Sequence, residues 1–267
     1  MTVALSREWS FTADEVGALT SRTGASPVVG LRPRHATVDV RDAALNHAVR
    51  TLTQRGVIVD GLVDPEIVSV LHVLQRPDRE LVMRLVTPAG VGRISVARRG
   101  NSTAVGRRIG ERLDVRVLGP GIGLSDAVAT LLDEMPTAQP APVEPVGAPL
   151  SEMTEALSDS HDPLVLADRV RALGAPQRAA MLLGAALGSR QAFAEIVYSA
   201  VLENEDVIAR VPAAVAVIYT ARGRVIAVPS ASPSGQLWST LKPGSDQVFG
   251  QAVNQLVELA AERWEVG

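Results

Sequence analysis

Over residues 40–56 (VRDAALNHAVRTLTQRG) apolar side chains recur every three or four positions, and Ala44, Leu45, Ala48, Val49 and Leu52 fall on one face. That spacing predicts an amphipathic helix, with Gly56 as its C-terminal stop. Upstream, Thr12 and Glu15 stand three residues apart, the spacing of a capping box that opens a short helix. Downstream, DPEIVSVLHVLQRP predicts a second amphipathic helix, with Asp64 as cap, Pro65 in the first turn and Ile67, Val70, Leu71 and Leu74 inward. The period then changes from 3.6 to 2. RELVMRLVT, VGRISVARR, STAVGRRIG and RLDVRVLG read as four short strands joined by tight turns. A helix from about Leu124, capped by Gly123 or Ser125, closes this run.

Residues 135–149 (MPTAQPAPVEPVGAP) carry five prolines and can hold neither a helix nor a central strand. The segment reads as an extended linker, which divides the chain into an N-terminal half, 1–135, a linker, 136–149, and a C-terminal half, 150–267. Beyond it, helical patterns fill about 149–187. PAAVAVIYT, RGRVIAVPS and SGQLWSTLK are strands. SDQVFGQAVNQLVELAAERW is an amphipathic helix with a stripe of Val248, Ala252, Val253, Leu256, Leu259 and Ala260. QAFAEIVYSAVLENE fits a helix or a strand by periodicity alone.

An internal echo resolves that segment. LVTPAGVGRISVARRG at 85–100 returns about 130 residues later as IYTARGRVIAVPSAS at 218–232. Each is an apolar strand ending in Thr, a Gly-containing turn, Gly-Arg and an alternating strand. For the halves to match, QAFAEIVYSAVL must be the first of four strands. The predicted fold is therefore α+β: two pseudo-symmetric halves, each with helices, a four-stranded antiparallel meander and a closing helix, around a central sheet. A pseudo-twofold arrangement of this kind is expected to leave a concave surface between the halves.

Composition narrows the function classes. At 267 residues the chain can bury roughly 75% of its unfolded surface without a staple. It has no cysteine, which excludes disulfides and thiolate metal sites and points to a reducing cytoplasm. MTVALSREWSFTADEVG lacks the basic and apolar regions of a signal peptide, and no apolar run is long enough to insert in a membrane. The net charge of -3 is uneven, since residues 76–116 hold ten Arg against four acidic residues.

The search for chemistry comes back empty. LGPGIGLSDAV at 118–128 has Gly119, Gly121 and Gly123 between a strand and a helix, but lacks the third glycine of a dinucleotide fingerprint and its ribose-binding acid. It reads as a structural turn, and no cofactor or metal is expected. His35, His47, His72 and His161 are scattered and form no metal-binding or nucleophile-activating pattern. Asp39, Asp42 and Asp64 read as helix-start residues. Tyr219 and Trp238 are expected to be core or half-buried residues of their strands. Nothing here indicates an enzyme. The alternative is a winged-helix-like DNA-binding regulator, because two helices precede an Arg-lined hairpin. Its recognition helix, however, carries two acids and no Lys or Arg before Arg76, and eight aromatic residues in the chain supply little stacking.

Two stretches carry a resemblance to a known family. LTQRGVIVDGLVDPEIVSVLHVLQRPDRE at 52–80 and AVIYTARGRVIAVPSASPSGQLWSTLKPGSDQVFGQAVNQLVEL at 216–259 resemble the EspG proteins of type VII secretion systems. The likeness departs at Tyr219, where the family pattern has an Asp. It implies a cytosolic, non-enzymatic chaperone that binds the tip of a PPE protein within a PE–PPE heterodimer. Such a chaperone forms a 1:1:1 complex, keeps its client soluble and delivers it for export, with no nucleic acid partner and no membrane insertion. The family's contact surface has no motif. On hairpin geometry alone, Arg98, Arg99, Asn101, Arg107 and Arg108 are the expected partner-binding residues. A β edge built by the repeat also offers a second copy a place to pair as a homodimer.

Overall fold

A computed structural model describes residues 7–24, 35–202 and 207–265. They form eight helices and thirteen strands, and the chain divides into two compact units. One comprises Met1–Glu80 and Gly92–Ile122, the other Leu81–Val91 and Gly123–Gly267.

The first unit opens with strand β1 (Glu8–Thr12) and helix α1 (Ala13–Thr23). Thr12 accepts from the Glu15 backbone N–H at 3.2 Å, and the Glu15 carboxylate accepts from the Thr12 N–H at 2.9 Å, which is the expected capping box. Helix α2 (Val38–Gln54) is capped by Thr37, and Gly56 follows its last turn at φ 69°. A two-residue hairpin, β2 (Ile58–Val59) and β3 (Leu62–Val63), turns on Asp60 and Gly61, both left-handed. Helix α3 (Pro65–Gln75) then starts on the Asp64 cap.

The meander follows as β4 (Arg79–Thr87), β5 (Gly90–Arg99), β6 (Ser102–Ile109) and β7 (Arg112–Pro120). Within this unit β5, β6 and β7 pair antiparallel in order, and β1 pairs with the outer edge of β7. The helix-facing side of these strands carries Phe11, Ala97, Ala104, Leu113 and Val115, packed with Leu19, Leu52, Ile67 and Leu71. Gly106 matters there. A Cβ at this position would lie 3.2 Å from both methyls of Leu74, so glycine lets α3 lie close on β6. The sequence reading had no β1. Its Trp9 and Phe11 alternate correctly, but the strand exists only because β7, a hundred residues later, offers an edge.

The second unit begins with helix α4 (Leu124–Asp133), β8 (Val146–Pro149), α5 (Leu150–Leu157), α6 (Pro163–Ala172) and α7 (Gln177–Leu187). Strands β9 (Arg190–Val201), β10 (Ile208–Arg210), β11 (Val215–Thr220), β12 (Gly223–Ala231) and β13 (Leu237–Pro243) and helix α8 (Asp246–Glu258) complete it. The ambiguous segment is thus a strand, with its 203–205 end outside the described residues. The order within the unit is β4, β9, β11, β12, β13, β8, and β10 hangs on the end of β9. Helices α5 to α7 cover the face bearing Val225 and Leu241, while α8 packs on β9, β11 and β12. In chain order each half runs as expected: helices, four principal strands, closing helix.

The proline-rich segment 136–149 is extended, and it is also packed. Ala141, Val143, Val146 and Ala148 are buried in the second unit's core, and β8 pairs with β13 as the edge strand. The compact units are cut at other positions, 80/81, 91/92 and 122/123. The α8 stripe needs correction. The buried residues are Phe249, Ala252, Val253, Leu256 and Val257, while Val248 is half-buried. The helix ends at Glu258 with Leu259 as its cap, and Leu259 and Ala260 are half-buried rather than part of the buried stripe. Trp264, past the helix, is wholly buried, with its ring centroid 6.5 Å from that of Tyr198. Tyr219 is buried opposite Arg224, and Trp238 is half-buried. Among the described residues no helix is long and apolar enough to cross a membrane.

Two outcomes follow for stability. Gly184 faces α6 so closely that an added Cβ would meet the Pro163 carbonyl oxygen and stand 2.8 Å from the Ala167 Cβ. Gly184→Ala is expected to destabilise by about 1–3 kcal/mol, measured by urea unfolding, because backbone must shift to admit the methyl. Glu80 is held above the ordinary carboxylate range by burial, against a 2.5 Å hydrogen bond from Ser95 that opposes the rise. Ionisation of the unfolded chain therefore draws stability away as pH rises past its unfolded pKa. The stability gap between Glu80→Gln and the parent should grow in favour of Gln from mildly acidic to neutral pH and close at low pH. A gap independent of pH would refute this assignment.

Candidate functional site

The β5–β6 hairpin carries the expected partner-binding residues. It turns on Gly100 and Asn101, since Arg99 pairs with Ser102. Gly100 adopts φ 55°, and its N–H donates to Asp78 at 2.6 Å. The Asp78 N–H in turn donates to the Arg98 carbonyl at 2.8 Å, so the turn is held from outside. Asn101 is a structural tie: its side-chain oxygen accepts from the Gly121 N–H at 3.1 Å. Gly121 follows β7 at φ 69°, and Gly119, at φ 98°, pairs with Thr103 inside β7 beside a register shift.

The five expected residues do not form one patch. Arg98, Arg99 and Asn101 sit at the turn, whereas Arg107 and Arg108 lie five and six residues along β6 from Ser102. At about 3.4 Å per residue, Arg107 is roughly 17 Å from that end. Strand alternation also splits the pairs: Arg99 and Arg108 share one face, and Arg98 and Arg107 the other. Arg107 forms an ion pair at 3.4 Å with Asp114, which Arg112 also contacts at 3.0 Å. Burial pushes Asp114 up, but the hydrogen bonds from Ser10 and Arg112 and the two guanidinium charges outweigh it and hold the carboxyl below its ordinary range. Arg108 donates through Nε to the Gly110 carbonyl at 2.9 Å. At the turn end Arg99 is exposed, while the half-buried Arg98 donates through Nε to the Gly100 carbonyl at 3.0 Å; at the far end Arg107 is ion-paired.

A second feature lies wholly within the second unit. Val86, Thr87 and Pro88, the α5–α6 loop at Leu157 and Asp159–His161, and the start of β9 enclose an open groove of about 570 Å³. Its floor includes Phe193, which is 37% exposed and, among the described residues, the aromatic side chain that stays on the surface. The Arg84 guanidinium lies 5.6 Å from the Phe193 ring centroid and steadies it. Arg190 fixes the loop by donating to the Ser160 and Leu157 carbonyls. An exposed aromatic in a concave, partly apolar surface is the kind of feature that protein contacts use. The sequence held a signal for it. In β9 the buried phase is Ala194, Ile196 and Tyr198, and Phe193 shares the opposite phase with Glu195.

Among the described residues no group of three or more His, Asp or Glu is placed to hold a metal. His35 pairs with Asp14 at 2.9 Å, and His161 lines the groove edge. On the winged-helix alternative, the outer face of α3 presents Ser69, His72 and a Glu66 already paired with Arg7 at 2.9 Å. An acidic residue there opposes the phosphate backbone.

Comparison with known proteins gives a consistent picture. The model of the EspG family matches residues 12–255. The ESX-1 secretion-associated protein EspG1 of Mycobacterium tuberculosis is 28% identical over 235 residues, 86% of this chain and 78% of that protein. The ESX-3 secretion-associated protein EspG3 of Mycolicibacterium smegmatis is 27% identical over 251 residues, 92% of this chain and 84% of that one. In fold, the chain matches the Mycobacterium tuberculosis type VII secretion system chaperone EspG5, solved in complex with the PE25–PPE41 dimer. The TM-score is 0.80 at 18% identity, over 97% of this chain and 99% of that one.

The hairpin geometry yields its own test. Asn101→Ala removes the nearer of two acceptors of the Gly121 N–H at an exposed site, leaving the Asn101 backbone carbonyl at 3.3 Å. It should cost about 0.5–1.5 kcal/mol in chemical unfolding and raise amide exchange at Gly121. Unchanged exchange there would show that the carboxamide does not hold the loop.

Proposed function

The chain belongs to the EspG family, and on that premise we propose that it is a cytosolic, non-catalytic chaperone of a PE–PPE heterodimer. It binds the tip of the PPE subunit, keeps that apolar surface out of water and presents the heterodimer to a type VII secretion system. The observation that carries this reading is the match over nearly all of both chains to EspG5, a protein solved with a PE–PPE dimer. Physical features support it. The groove at Phe193 offers the apolar contact that shields a client helix tip. The turn end of the hairpin, with Arg98 and Arg99, offers charged donors that choose between clients, because selectivity is a difference of affinities. Arg107, bound to Asp114, has a lesser part.

Co-expression with PE–PPE pairs from the same organism is the direct test, read by size-exclusion chromatography with light scattering. The expected result is a 1:1:1 complex with some pairs and not others. Phe193→Asp should weaken the complex at least about tenfold while leaving the melting temperature of the free chaperone unchanged. No complex with any pair, together with salt-sensitive retention on duplex DNA, would replace this reading with the DNA-binding one.

A further inference from the structure

The first unit contains a concave site of which the chaperone reading uses only Arg99. It lies between the last turn of α3 and the turn end of β5–β6, has a volume of about 550 Å³, and is lined by Ser69, His72, Gln75, Arg76, Arg99 and Ser102. Every one of these polar side chains can donate a hydrogen bond, and no Asp or Glu is in the lining. Arg76 and Arg99 are both exposed and have no ion-pair partner among the described residues. The Nε2 of Gln75 is buried and has no hydrogen-bond partner there.

The local helix explains only part of this. The C-terminal end of α3 carries partial negative charge, which accounts for basic side chains at His72 and Arg76. It does not account for Arg99, delivered from a separate strand and held at its position by the Asp78-braced turn. Two guanidinium forks converging on one cleft are suited to planar oxyanions, which they bind bidentately. The lining has no aromatic ring on which a base could stack, and the arginines of the far end of the hairpin are already paired or bonded, so no cationic track extends along β6.

We infer that the cleft bounded by Arg76 and Arg99 is a recognition site for the carboxylates of an acidic peptide segment, one presented by the client protein. The inference rests on the proposed function only for who presents the acid; the cleft itself is testable without any client. It assigns selection to a pair that the hairpin alone did not suggest, because Arg76 is the C-terminal cap of α3.

The test uses the full chain and fluorescein-labelled peptides, one of alternating Glu and Ser and one in which Gln replaces every Glu, read by anisotropy at two salt concentrations. The Glu peptide should bind, weaken with salt, and outcompete the Gln peptide. Arg76→Gln and Arg99→Gln should each reduce affinity at least about fivefold, whereas Arg93→Gln, an exposed arginine outside the cleft with the same loss of charge, should leave it unchanged. Equal loss in all three variants would mean a diffuse charge effect and overturn the site. Displacement of the peptide by inorganic phosphate at lower concentration than by free Glu peptide would overturn the carboxylate assignment in favour of a phosphoryl ligand. The client assay separates the two proposals. A complex that forms with full affinity in the Arg76→Gln/Arg99→Gln variant removes the cleft from client recognition and leaves the chaperone function standing. Peptide binding without any client complex does the reverse.

Discussion

The second unit is organised around one buried guanidinium. Arg224 on β12 is 2% exposed, and its Nε donates to the Gly244 carbonyl at 2.6 Å while its Nη2 reaches Asp246 at the start of α8. Its backbone is used as fully. The N–H donates to Gln139, and the carbonyl accepts from Ala141 at 2.9 Å and from Gly244 at 2.7 Å. One residue thus joins the proline-rich segment, the middle of the sheet and the entry to the closing helix. A buried charge is tolerated only when its donors are satisfied, so each of these partners is required by the others. The two neighbouring glycines are part of the same constraint. A Cβ on Gly223, at φ 116°, would lie 2.7 Å from the Gln139 oxygen, and one on Gly244 would lie 2.7 Å from the Arg224 Cγ.

That knot explains why a stretch rich in proline behaves as structure. Proline forbids residues 136–149 a helix and a central strand, yet an extended chain can still lie along a sheet and use its remaining carbonyls and N–H groups. Arg224 supplies the complementary groups, and β13 supplies an open edge for β8. With that strap in place the rigid elements around β9 hold the α5–α6 loop, through Arg190, against the rim of the Phe193 groove. The candidate surfaces in this protein are consequences of packing.

Much of this was legible in the residues. The capping box at Thr12 and Glu15, the Asp64–Pro65 start of α3, and the period-2 runs from 79 to 120 state their conformations locally, and the elements form where they point. The internal echo went further and decided β9 against a helix, because a repeated pattern carries information that local propensity does not. The α8 stripe was misplaced for a definite reason. An apolar run that leaves the helix at Glu258 still looks periodic, and nothing in the sequence marks the end as sharply as a glycine would. The five hairpin residues are split in space because the turn at Gly100–Asn101 places Arg107 and Arg108 well along the strand, a separation that register and not composition sets.

The amino-acid sequence by itself determined the kinds and order of the elements, the α+β class and, through two quoted stretches, the family resemblance. These follow from short-range sterics, capping and hydrophobic period, which act within a few residues. Only the tertiary structure decided that Glu8–Thr12 is a strand, that residues 136–149 are packed in a core, that Phe193 floors a groove, and that Arg76 and Arg99 line one cleft. Each of those depends on groups far apart in the chain, whose meeting is set by the packing of whole elements and leaves no local trace in the sequence.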